Sequence, residues 1–136
     1  SYLKALALDP TAADVLNNLG ALAMSRREPD QARGHFERAL TYDPGLASAW
    51  NGLGTALAAK GDLAGAVGNW RKAVSAEPRH ELALFNLGTG LLKLGRGDEA
   101  LPFLERYLAV APASSPDRAR VARAVEALRA RRGGGA

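Results

Sequence analysis

Hydrophobic residues recur along the chain three or four residues apart, which is the spacing of one face of an α-helix. They form three pairs of stripes, and a short polar segment separates the two stripes of each pair. The stripes comprise Leu16, Leu19 and Ala23 with Phe36, Ala39 and Leu40; Trp50, Leu53 and Leu57 with Trp70, Ala73 and Val74; and Leu84, Leu87 and Leu91 with Leu104, Tyr107 and Leu108. The separating segments are SRREPDQ, AKGDLAG and KLGRGDE, and their composition predicts turns. The pattern therefore predicts three pairs of antiparallel helices.

Three columns of residues repeat every 34 positions. They contain Pro10, Pro44, Pro78 and Pro112; Gly20, Gly54 and Gly88; and Ala32, Ala66 and Ala100. Proline ends one helix and suits the start of the next segment. Glycine inside a helix costs roughly 1 kcal/mol relative to alanine, so its return at one register indicates that a side chain would collide with a neighbouring helix. The columns therefore predict closely packed, repeated helix pairs.

These columns resemble the tetratricopeptide repeat, a helix–turn–helix module with the same period. The second helix pair matches that family's motif best, at Trp50, Leu53, Gly54, Ala66, Trp70, Ala73 and Pro78. The third pair departs from it at Tyr107, where a small residue is expected, and at Pro102, which falls inside a helix but near its start, where it should bend rather than break it. In the first turn, Arg27 replaces the glycine seen as Gly61 and Gly95.

The resemblance implies a tetratricopeptide repeat protein of bacterial type. Its expected fold is all-α, an α-solenoid whose helix pairs wind into a right-handed superhelix. The expected segments are residues 1–12 as the second helix of a truncated preceding repeat, 13–46, 47–80 and 81–114 as three repeats, 115–132 as a capping helix and 133–136 as a disordered tail.

The two ends of the repeat array carry predictions of their own. The segment SYLKALALDP matches the ends of the later repeats, so we expect the chain to be the C-terminal part of a longer protein. Tyr2, Leu6 and Leu8 should form an apolar face open to self-association or to an upstream domain. At the other end, Ser115 is the expected N-cap of the closing helix, and an apolar stripe there would cover the last repeat.

The charge of the chain is concentrated at its C-terminal end. Lys+Arg total 18 and Asp+Glu total 14; residues 113–136 hold six arginines against Asp117 and Glu126, which leaves 12 of each sign in residues 1–112. Contact of this arginine-rich helix with nucleic acid or an anionic surface is therefore a weaker alternative function.

The chain has no long apolar run that predicts a membrane span. It also has no cysteine, which fits a reducing compartment without deciding between a cytoplasmic and a periplasmic location.

No residue pattern in the chain demands catalysis or a bound metal. His35 and His80 lie far apart in the sequence and in no ligand spacing, so both are interpreted as solvated surface histidines. Glycine-rich strings such as GLGTALAAKG lack the strand before them and the lysine after them that a phosphate-binding loop requires. We therefore expect neither an enzyme nor a cofactor.

The resemblance implies a concave face, formed by the first helices of the repeats, that holds an extended peptide. The residues expected there are Asp14, Asn17, Asn18, Asn51, Thr55, Leu82, Phe85, Asn86, Thr89 and Lys93. Asn18 and Asn86 match an asparagine ladder of some family members, whereas Gly52 interrupts it and Asn51 is displaced by one residue. An asparagine amide can both donate to and accept from a peptide backbone.

The predicted function is that of a non-catalytic scaffold for protein–protein interaction. Chaperone-binding members of the family clamp a C-terminal carboxylate with basic residues. The corresponding positions have no Lys or Arg here, which disfavours the C-terminal tail of a chaperone as the partner. The alternative is an accessory or oligomerisation module at the C-terminal end of a larger bacterial enzyme.

Overall fold

The computed structural model describes residues 10–134, which form helices joined by short turns. Within this range the helices are α1 (Pro10–Ser25), α2 (Pro29–Tyr42), α3 (Ala47–Ala59), α4 (Leu63–Ala76), α5 (Glu81–Lys93), α6 (Gly97–Val110) and α7 (Arg118–Gly134). No strand occurs between residues 10 and 134. The predicted all-α fold of repeated helix pairs is confirmed.

The turn inside each helix pair adopts one backbone conformation in all three repeats. Its central residue has a positive φ, 59° at Arg27, 89° at Gly61 and 75° at Gly95. In the second repeat the amide of Asp62 then donates to the carbonyl of Leu57 at 2.9 Å, which closes the end of α3. The turn glycine of the motif is thus a conformational requirement, and Arg27 meets it at a cost that glycine avoids.

The chain divides into two compact units, the first ending at Pro78 and the second beginning at Arg79. In the first unit α2 packs against both α1 and α3, and α4 packs against α3. One cluster of its core contains Leu16, Ala23, Ala32, Phe36, Ala39, Ala49, Leu53 and Ala56. In the second unit α6 packs against both α5 and α7. The largest fully buried side chains there are Leu84, Leu87, Leu91, Leu104, Val121 and Val125.

The glycine column marks the points of closest approach between helices, as predicted. A Cβ added to these glycines would meet the side chains of Phe36 at Gly20, Trp70 at Gly54 and Leu104 at Gly88. At Gly54 the added atom would lie 2.6 Å from the Trp70 ring and 3.0 Å from the carbonyl oxygen of Ala66. A large side chain on the second helix of each pair therefore sits directly on a glycine of the first.

One member of the predicted apolar stripes is exposed to solvent. In α1, Leu16 is buried but Leu19 is 39% exposed, whereas its counterparts one and two repeats later, Leu53 and Leu87, are buried. Leu53 is covered because α2 packs against α3. Among residues 10–134 no helix precedes α1, so none of the described helices covers this side of α1 as α2 covers α3.

The closing helix starts three residues later than the predicted boundary at Ser115. The Ser115 hydroxyl donates instead to Glu81 Oε1 at 2.9 Å, and α7 begins at Arg118. The helix then continues to Gly134, into the segment expected to be a disordered tail. Pro102 does not interrupt α6. The apolar face predicted at Tyr2, Leu6 and Leu8 lies outside the described residues, and residues 10–12 belong to α1.

Candidate functional site

The residues predicted to face a ligand differ in exposure. Asp14, Asn18, Leu82 and Lys93 are exposed; Asn17, Thr55, Phe85, Asn86 and Thr89 are half-buried; and Asn51 is buried. Leu82 is 56% exposed, whereas Leu84 and Leu87 on the same helix are fully buried. The exposed members are therefore two charged side chains, one amide and one leucine, carried by α1 and α5.

Asn51 is not on the exposed side of α3, and its assignment to that side was wrong. Its exposed fraction is 7%, and its backbone carbonyl accepts hydrogen bonds from Trp70 Nε1 at 3.2 Å and from the Thr55 hydroxyl at 3.0 Å. One residue along a helix corresponds to a rotation of about 100°. That rotation takes Asn51 away from the ladder register of Gly52 and into the packing with α4.

The interruption of the asparagine ladder at Gly52 has a packing cause. A Cβ at Gly52 would overlap the ring of Phe36, which also faces Gly20. The Phe36 ring therefore fills the space that a side chain at Gly52 would need. An asparagine cannot occupy this position without displacing a buried aromatic ring, so the ladder is not continued in α3.

A cavity of about 300 Å³ opens beside the exposed Leu82 of the second unit. It is lined by Glu81, Leu82 and Phe85 from α5, by Tyr107 from α6 and by Asp117 immediately before α7. The rings of Phe85 and Tyr107 are tilted by 49° with their centroids 5.7 Å apart. Sequence reasoning selected Leu82 and Phe85 but missed the three other lining residues.

Tyr107 stands at a register that is alanine in the first two repeats. Ala39 and Ala73 at that register are fully buried, and Tyr107 is itself only 3% exposed. Burial raises the pKa of the Tyr107 phenol above its ordinary value of 10.0; a hydrogen bond with Ser115 opposes this rise, and the Glu81 carboxylate adds to it. The phenol is therefore neutral at physiological pH and offers its hydroxyl as a polar group in an otherwise apolar wall.

Charged groups surround the opening of this cavity. Arg120 Nη2 donates to Asp117 Oδ1 at 2.8 Å, and the Arg120 guanidinium carbon lies 5.3 Å from the centroid of the Phe85 ring. Arg118 Nη1 donates to the carbonyls of Leu108 at 2.6 Å and of Ala111 at 3.0 Å. The two arginines therefore differ: Arg118 closes the end of α6, whereas Arg120 lies over the cavity wall.

A second cavity, of about 660 Å³, lies between the start of α6 and the end of α7. Its lining residues are Leu92, Gly95, Arg96, Gly97, Asp98, Glu99, Leu128, Arg131 and Arg132. Arg96 Nη2 donates to Glu99 Oε1 at 2.7 Å. The opposite charges in this cavity give it no clear preference for one sign of ligand.

The arginines of α7 are only partly available to an external anion. Arg118 is bonded to backbone carbonyls, Arg120 pairs with Asp117, and Arg129 pairs with Glu105. Half of the six arginines of this segment are therefore engaged within the chain. Nothing in the described part of the chain adds aromatic side chains between them that would stack on bases.

The two histidines have local structural environments. His80 is the N-cap of α5, and its Nδ1 accepts a hydrogen bond from the amide of Ala83 at 3.1 Å. His35 is half-buried, and its Nδ1 is buried without a hydrogen-bond partner, so the expectation of a solvated side chain was wrong. The part of the chain that the structure describes holds no group of three or more His, Asp or Glu side chains that could bind a metal ion.

Among the helices of residues 10–134, none has both the length and the apolar character required to cross a bilayer.

Comparison with known protein families identifies the repeat. Two models of the tetratricopeptide repeat family match the chain, one at residues 1–45 and 17–70 and the other at residues 57–130. Together these matches cover almost the whole sequence. No curated protein matches the chain in sequence.

Solved structures of low sequence identity share the fold. The first repeat domain of Spaghetti (RPAP3), bound to the HSP90 peptide SRMEEVD, is 21% identical with a TM-score of 0.80, over 88% of this chain and 98% of that one. The Yersinia enterocolitica type III secretion chaperone SycD, in complex with a peptide of the translocator YopD, is 19% identical with a TM-score of 0.77, over 91% of this chain and 97% of that one. The Sgt2 repeat domain from Aspergillus fumigatus is 21% identical with a TM-score of 0.77, over 96% and 84%. At these identities the likeness establishes the fold alone.

Proposed function

The chain belongs to the tetratricopeptide repeat family, and we propose that it is a non-catalytic interaction module that binds a peptide or protein segment along the exposed faces of its first helices. The observation that supports this most directly is the exposed surface of α5. Leu82 is 56% exposed and borders an open cavity, while Leu84 and Leu87 on the same helix are fully buried. An exposed apolar side chain at the edge of a cavity offers a ligand apolar surface that binding can bury.

Two structural neighbours support the class of ligand. RPAP3 and SycD were each solved with a bound peptide. The extended backbone of such a peptide has unpaired donors and acceptors, which amide side chains can satisfy. On α1, Asn18 is exposed and offers such an amide, whereas α3 offers glycine at the same register. We therefore expect polar contacts at α1 and apolar contacts at α5.

The proposal is tested by selecting peptides from a random phage-displayed library on the full chain. Selected peptides are synthesised with a fluorophore, and their affinities are measured by fluorescence anisotropy for the unchanged chain, Asn18→Ala and Leu82→Ala. Burial of a leucine side chain in a complex contributes roughly 1.5–3 kcal/mol, so Leu82→Ala should weaken binding about tenfold or more.

Arg33→Ala is the matched control on the second helix of the first repeat. Arg33 forms only an exposed ion pair with Glu37 at 3.5 Å, and exposed pairs contribute little to stability. This variant should bind the selected peptides as the unchanged chain does. The proposal is wrong if no peptide is enriched, or if the two first-helix variants bind every selected peptide with unchanged affinity.

A further inference from the structure

The cavity bordered by Leu82 has the size of a subsite for one side chain. Its volume of about 300 Å³ is at the lower end of the range for ligand pockets. Leu82, Phe85 and Tyr107 supply apolar and aromatic walls. A segment lying along α5 could insert a single side chain between these walls.

Two carboxylates give the cavity its chemical preference. Glu81 and Asp117 both line it, and the hydrogen bond from Ser115 to Glu81 Oε1 orients the first of them. An anionic side chain would be repelled by both carboxylates. A cationic side chain would be attracted to them and would also gain from the face of an aromatic ring.

The chain already places a guanidinium group at this position. Arg120 lies over the Phe85 ring at 5.3 Å and donates to Asp117 at 2.8 Å. Its side chain is 63% exposed and that of Asp117 is 43% exposed, so this ion pair is screened by solvent and contributes little to stability. Arg120 can therefore be displaced at little cost, unlike Arg118, which is bonded to two backbone carbonyls.

We propose that the cavity between α5, α6 and the start of α7 binds an arginine or lysine side chain of a peptide partner, and that Arg120 occupies its opening until the partner displaces it. This inference rests on the proposed function and specifies the ligand class of one part of that surface. Tyr107 is central to it, because the first two repeats have only an alanine methyl group at this register. The third repeat therefore holds an aromatic wall that the first two lack at this register.

The test is an NMR titration of the ¹⁵N-labelled full chain with terminally blocked tripeptides. The probes are Ala-Arg-Ala, Ala-Lys-Ala, Ala-Leu-Ala and Ala-Glu-Ala. The arginine and lysine probes should shift the backbone amides of Leu82 and Phe85, and the shifts should shrink as salt is raised. Equal or larger shifts with the leucine or glutamate probe would overturn the charge preference.

Variants then test the role of Arg120. Arg120→Ala removes the competing guanidinium, so it should tighten binding of the arginine probe about threefold to tenfold, whereas Arg123→Ala on the same helix should not change it. Glu81→Gln and Asp117→Asn keep the side-chain shape and should each weaken binding about threefold or more. Unchanged or weaker binding by Arg120→Ala would overturn the proposal, as would unchanged binding by both carboxylate variants.

The outcome separates this inference from the proposed function. If library-selected peptides bind and Leu82→Ala weakens them, but Glu81→Gln and Arg120→Ala have no effect on any probe, the interaction module stands and the cationic subsite does not. If the arginine probe binds as expected while no peptide is selected, the subsite stands and the proposed function does not.

Discussion

Replacing Gly54 by alanine tests whether the glycine column is maintained by contact between helices. The added Cβ would lie 2.6 Å from the Trp70 ring and 3.0 Å from the carbonyl oxygen of Ala66. The ring cannot retreat freely, because it is 6% exposed and its indole nitrogen donates to the carbonyl of Asn51. Overpacking of this kind costs about 1–3 kcal/mol, and loss of the indole hydrogen bond would add about 1 kcal/mol.

The helix propensity of alanine offsets part of this cost. Alanine is favoured over glycine by roughly 1 kcal/mol inside a helix, so the net loss for Gly54→Ala should be about 1–3 kcal/mol. Gly68→Ala is the matched control, since Gly68 lies inside α4 and nothing is within 4 Å of an added Cβ. This variant should gain about 0.5–1 kcal/mol.

Urea unfolding followed by circular dichroism at the helical band measures both variants. Their free energies of unfolding should differ by about 2–4 kcal/mol, with opposite signs relative to the unchanged chain. If both variants are stabilised to the same extent, the close approach of Trp70 does not explain the glycine, and the packing argument for the whole column fails.

Two further predictions concern the turn of the first repeat and the buried phenol. Arg27→Gly should raise the free energy of unfolding by about 1 kcal/mol, because φ at this residue is +59°; no gain in thermal melting would contradict this. Tyr107 has a raised pKa in the folded chain, so below its unfolded value of 10.0 its contribution to stability is complete, and above that value the unfolded state ionises first. Urea unfolding between about pH 9 and 11 should therefore show stability falling with pH more steeply in the unchanged chain than in Tyr107→Phe.

The helices, the turns and the close contacts could be predicted because they depend on short-range periodicity. The spacing of apolar residues predicts each helix, and the register of Gly20 and Gly54 predicts where a neighbouring side chain approaches. Even the exception at Arg27 fits, since its turn keeps the conformation of Gly61 and Gly95. Features that recur in every repeat are determined by the same local geometry, and the sequence shows the corresponding residues three times.

The candidate site was predicted less completely because it depends on features that do not recur. Asn51 was assigned to the exposed face, but a shift of one residue turns it into the packing with Trp70. The cavity brings together Glu81 from α5, Tyr107 from α6 and Asp117 from the segment before α7. Periodicity relates residues at the interval of the repeat, and no two of these three residues are separated by that interval.

Residues that follow the repeat pattern cannot distinguish one ligand from another, because packing between helices determines them. Gly54 must be small to admit Trp70, whatever the chain binds. Specificity must therefore arise where a repeat departs from the pattern and the departure reaches the surface. Arg27 departs from it in a turn, where the consequence is backbone strain alone. Tyr107 departs from it beside an open cavity that is also lined by two carboxylates, so we expect the third repeat to be the part of the chain that selects a partner by its chemistry.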